Sequence, residues 1–132
     1  MKMTQAEKTT ELKILRIAWR FLCYLPWTWL IMLAIFTLGV TLREGHFPYL
    51  LNPDPANGTG ALLRLIYLAF HGLGTPLLFA SIVIWPLLGG LLKWSKLYQF
   101  RRQEIIAYLS GISISLWILL GNVAGLTDWL MD

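Results

Sequence analysis

Arg64, Tyr67, His71 and Thr75 follow one another at three- and four-residue intervals in an apolar stretch, which puts them on one face of a helix. A neutral imidazole inside a membrane suits axial ligation of haem, proton relay or hydrogen bonding to a quinone, so His71 is the weak cofactor candidate of this chain. The competing reading is a packed or headgroup-facing histidine, and depth favours it. Counted back from Lys93, Thr75 lies about 27 Å and His71 about 33 Å along the helix, near the edge of a hydrocarbon core of roughly 30 Å. The other histidine, His46, sits in a proline-rich connection, so a haem with two histidine ligands would take the second from another chain.

Other chemistry is sparse. No Asp or Glu falls within the expected spans, which disfavours an ion-coupled carrier acting alone. No zinc-type cluster, phosphate-binding glycine loop or Ser-His-Asp set can be assembled, so neither catalysis nor a bound cofactor or metal is expected. The single cysteine, Cys23, has no partner for an intramolecular disulfide and reads as a small buried hydrophobe. Ala107, Gly111 and Ser115 repeat every four residues with Ser110 alongside, and Gly121 and Gly125 form a GxxxG pair. Small residues at that spacing let two helix backbones approach closely. The pattern leaves open whether the neighbour is the chain's own first span, a second copy or a different protein.

The elements that must position these residues are membrane helices. Of the 132 residues 57% are hydrophobic and only 14% charged, and the mean hydropathy is +0.61, more apolar surface than a soluble chain of this size can hide. Seven tryptophans suit headgroup-level anchoring. The net charge of +4 comes from basic blocks flanking apolar segments, which points to anionic lipid headgroups and away from nucleic acid.

The fold class expected is an all-α integral membrane protein with three transmembrane helices in a single membrane domain, 1–132. Residues 1–20 form a basic leader, too long and mixed for a signal peptide. Within 10–22, Leu12, Leu15, Trp19 and Leu22 oppose Lys13, Arg16 and Arg20, as in a separate surface helix or the solvated start of the first span. The first span is expected over 25–42, anchored by Tyr24, Trp27 and Trp29, with Pro26 tolerated in its first turn. Residues 43–60, punctuated by Pro48, Pro53, Pro55 and Asn57-Gly58, form an outer loop. The second span covers 66–92 and is kinked at Pro76 and Pro86, with 61–65 as a surface lead-in. A loop over 93–104 precedes the third span, 105–126. Nine Lys and Arg lie on the N-terminal side against two, Arg43 and Arg64, on the other. The positive-inside rule therefore places the N-terminus in the cytosol and the C-terminus outside. The short leader and compact loops suit a bacterial inner membrane.

These features lead to a small non-enzymatic accessory subunit, assembly factor or regulator packing against a larger membrane partner. The alternative is a homo-oligomeric pore or transport unit lined by Ser110, Ser113, Ser115 and Asn122. In size and topology alone, a three-helix chain with one membrane histidine also resembles the anchor subunits of succinate dehydrogenase and fumarate reductase. That resemblance implies a redox-complex anchor using His71, although the arginine and histidine motifs those anchors carry around haem and quinone are not found in this sequence.

Overall fold

The computed structural model describes residues 5–45, 60–94, 99–122 and 126–131. The leader and the first span prove to be one helix, α1, Gln5–Glu44. The reason lies in its buried stripe. Trp19, Cys23, Pro26, Trp29, Leu33, Phe36 and Val40 recur at three- and four-residue steps, and all are buried, so the stripe that packs the bundle begins six residues before the expected span. A separate surface helix over 10–22 is thereby replaced by the start of α1: Trp19 turns into the bundle while Lys13, Arg16 and Arg20 stay exposed. Pro26 lies inside α1 and does not end it. Gly45, at φ 77, closes the helix by donating its N–H to the Thr41 carbonyl at 2.9 Å, in the left-handed conformation that glycine adopts without penalty.

The second apolar region is one helical run, resumed after Gly60 at φ 83. It comprises α2 (Ala61–Tyr67), a π-helical segment (Leu68–Gly74) and α3 (Thr75–Trp94). Residues 61–65, expected as a lead-in, belong to the helix. At Pro76, where the sequence predicts a kink, the backbone loosens into five-residue bonding: the Thr75 N–H reaches back to the Phe70 carbonyl. Proline has no N–H to give, and its ring would crowd the carbonyl four residues back in an α-helix, so a wider turn just before it relieves both problems. Pro86 is carried inside α3.

The third helix, α4, runs Arg102–Gly121 and stops short of the expected 126. Asn122 adopts a left-handed conformation, φ 43, and its side-chain carbonyl accepts the Thr127 N–H at 3.1 Å. A short helix, α5 (Leu126–Met131), follows. It is tied back by the Thr127 hydroxyl to the Ile118 carbonyl, 2.9 Å, and by the Tyr67 hydroxyl to the Leu130 carbonyl, 2.9 Å.

α1, the α2–α3 run and α4 are each long and apolar enough to cross a membrane. Every described element is helical. Contacts between Trp19 and Trp85 at one end of α1 and between Phe36 and Tyr67 at the other make α1 antiparallel to the second run, and α4 returns parallel to α1. Aromatic rings fill the axis. Trp85 stacks on Tyr108 at 4.4 Å and on Trp19 at 5.4 Å, while Phe36, Tyr67 and Phe70 cluster with centroids 5.4–5.9 Å apart.

Candidate functional site

Arg20, Lys93, Arg101 and Arg102 mark one end of the bundle as its basic end. There, the first turn of α4 carries Glu104, only 3% exposed. Its carboxylate accepts the Trp19 indole N–H at 3.0 Å and the Arg20 Nε–H at 3.3 Å. An acid in a first helical turn also complements the positive end of the helix dipole. Next to it, the Trp85 indole N–H donates to Cys23 Sγ at 3.4 Å, and the Tyr108 hydroxyl lies 3.2 Å from Ser81 Oγ, which donates to the Leu78 carbonyl at 2.6 Å. Sequence reasoning missed Glu104 because it stands one residue before the expected start of the third span. Its signal was available: an acid two residues after Arg102, with Trp19 and Arg20 at the matching depth of the first helix.

At the opposite end the stripe of Arg64, Tyr67, His71 and Thr75 is only partly shared. Tyr67 and Thr75 are buried, His71 is half-buried and Arg64 is exposed. Tyr67 and His71 stack at 5.0 Å, and Thr75 Oγ1 accepts the Trp29 indole N–H at 3.1 Å. Trp29, expected as a headgroup anchor, is therefore a core residue, held there because Thr75 satisfies its N–H. No group of three His, Cys, Asp or Glu able to hold a metal occurs among the described residues. His46, the only other histidine, lies outside the described residues, as do positions 46–59 of the expected outer loop.

The small-residue face has a definite neighbour. Gly111 is buried against α1, and a Cβ there would stand 2.9 Å from Trp27 Cδ1 and 3.0 Å from Pro26 Cβ. The Ala107 carbonyl accepts the Trp27 indole N–H at 2.9 Å, and Ser115 Oγ donates to the Gly111 carbonyl at 2.9 Å. This face thus packs on the chain's own first helix. Gly121 is exposed, and Gly125 lies outside the described residues.

Beyond that contact the two helices part into a groove of about 630 Å³, walled by Leu30, Leu33, Leu38, Ile114 and Ile118 and closed by Leu126. Ala34, Thr37 and Thr41 line its α1 side. The Thr41 hydroxyl donates to the Thr37 carbonyl at 2.8 Å, whereas Thr37 Oγ1 is buried without a hydrogen-bond partner among the described residues. Sequence reasoning missed this groove, since threonines among aliphatic residues in an apolar helix give no warning of which face they occupy.

Compared with protein-family models, curated proteins and solved structures, the chain matches none of them.

Proposed function

We propose that this chain is a small non-enzymatic multi-pass membrane protein, an accessory subunit, assembly factor or regulator that receives a helix of a larger membrane partner in the α1–α4 groove. The observation that carries this reading is the α1–α4 groove itself, an open and largely apolar cleft of about 630 Å³ lined on α1 by Ala34, Thr37 and Thr41, beside which Thr37 Oγ1 is buried with no hydrogen-bond partner among the described residues. A lone hydroxyl in an apolar setting is costly, about 1–3 kcal/mol by mutational measures, and lipid acyl chains offer it nothing. A partner helix can present a carbonyl or polar side chain to this hydroxyl once the Thr37 side chain turns toward the groove, and Ala34, Thr37 and Thr41, spaced three and four residues apart, allow the close backbone approach this requires.

The same proposal includes three membrane crossings in a bacterial inner membrane, with the N-terminus cytosolic and the C-terminus outside. It rests on the three apolar helices and on the nine-to-two division of Lys and Arg, and it puts the basic end against anionic headgroups. The pore reading has less behind it. Ser110 and Ser115 donate to carbonyls of their own helix, an arrangement serine adopts with no transport role. A redox anchor would rest on His71 alone.

Thr37→Val, which keeps the shape and removes the hydroxyl, and Ala34→Leu, which fills the groove, test the reading through co-purification of the full-length chain in mild detergent. Both variants are expected to lose a stoichiometric heterologous partner while the chain itself melts as the wild type does. Retention of that partner by both variants, or a wild type that carries none, overturns the proposal.

A further inference from the structure

A second groove, of about 390 Å³, opens at the basic end between α3 and α4. Gly89 and Gly90 form its floor, Trp85, Pro86 and Phe100 line its sides, and Lys93 lies at its rim. The Trp19 ring closes it from behind, so near that a Cβ on Gly89 would sit 3.1 Å from Trp19 Cη2, whereas a Cβ on Gly90 would meet nothing within 4 Å. The apolar depth is thus rigid and backed by rings that meet edge to face, Trp19 and Phe100 at 4.9 Å. The rim is different in kind. Lys93, the one cation that lines the groove, is exposed, as are Arg101 and Arg102 at the same end of the bundle, and none of the three forms an ion pair among the described residues; Glu104, the acid closest to Arg101 and Arg102 in sequence, is buried and committed to Arg20 and Trp19.

We infer that this groove holds one glycerophospholipid with an anionic headgroup, its acyl chain along the Gly89–Gly90 floor and its phosphate at Lys93. At about 390 Å³ the open groove takes part of one acyl chain, and the rest of the lipid stays in the surrounding bilayer. Basic pockets between membrane helices on the cytosolic side favour anionic headgroups, and a lysine on a long apolar stem can reach such a phosphate from the groove wall. A protein helix fits this groove less well than it fits the α1–α4 groove, since it would cover Lys93, which has no ion-pair partner among the described residues. The inference rests on the reading that these helices cross a membrane with the basic end cytosolic.

The test uses the full chain in nanodiscs containing phosphatidylglycerol and phosphatidylcholine in equal amounts, followed by native mass spectrometry of lipid retained after transfer to mild detergent. The wild type is expected to keep one phosphatidylglycerol in preference to phosphatidylcholine. Lys93→Gln lowers that preference about fivefold, the factor for losing one cation at an anionic surface. Gly90→Leu, which fills the groove, abolishes retention of both lipids, and Arg64→Gln, which removes an exposed cation at the other end, changes nothing. Equal retention of both lipids by the wild type, no retention, or equal losses in Lys93→Gln and Arg64→Gln overturn the site. Should Gly90→Leu not fold, the contrast between Lys93→Gln and Arg64→Gln decides alone. A wild type that incorporates into nanodiscs but keeps no lipid refutes only this site, whereas one that fails to incorporate refutes the membrane reading and the site with it.

Discussion

Glu104 shows how a single charged residue settles in an apolar bundle. Its carboxylate has an indole N–H and a guanidinium to accept from, and the Arg20 side chain remains about half exposed, so only one of the two charges is fully withdrawn from water. Removing the carboxylate takes away the acceptor to which the buried Trp19 N–H donates. Glu104→Ala is therefore expected to cost about 1–3 kcal/mol, read as a lower melting temperature in detergent, and Glu104→Gln, which keeps an acceptor, to cost less. Gly111 offers a second residue-scale test. A methyl there runs into the Pro26 ring and the Trp27 indole, so Gly111→Ala is expected to destabilise the chain by about 1–3 kcal/mol through overpacking, whereas Gly121→Ala at an exposed position stays within about 0.5 kcal/mol in the same melt. The spacing of Ala107, Gly111 and Ser115 was legible in the sequence as a close-packing face, but its neighbour was not. Which surface a glycine faces depends on how the helices are arranged, and that is set by side chains distant in sequence, here Pro26 and Trp27.

At the level of elements, the apolar segments could be located from composition because they need about 20 residues to cross a bilayer. Their ends could not, because ends are set by local bonding. α1 takes in the end of the leader because the helical spacing of buried residues starts at Trp19, ahead of the apolar stretch, and α4 ends five residues early because Asn122 turns left-handed and bonds Thr127. The π-helical segment before Pro76 was legible only as a defect, since proline announces a missing N–H and not the form its relief takes. α5 depends on few bonds, and this makes it testable as a unit. Asn122→Ala removes the acceptor for the Thr127 N–H and puts alanine, which tolerates positive φ less well than asparagine, at that turn. Tyr67→Phe removes the bond to the Leu130 carbonyl. Each is expected to cost about 1 kcal/mol, and hydrogen exchange of the α5 amides should rise in both variants while that of the α1 core is unchanged.

For the whole molecule, the sequence supported three apolar helices and a strong asymmetry of basic residues, and the structure contains three helices of the required length and character. What the bundle leaves uncovered was not legible, because a groove arises where helices diverge and no residue type encodes divergence. The two grooves differ in chemistry: one is lined by apolar residues and two threonines with no charge, the other carries Lys93 at the edge of an apolar floor. A protein helix is the occupant proposed for the first, and an anionic lipid the one inferred for the second. The central claim, that the α1–α4 groove receives a helix from a larger partner, is tested most directly by a photo-crosslinking side chain placed at Thr37 of the full-length chain in its native membrane, with Ile84 on the exposed face of α3 as control. The account predicts one discrete heterologous adduct from position 37 and none from position 84. An adduct of twice the chain mass, no adduct, or the same adducts from both positions would contradict it.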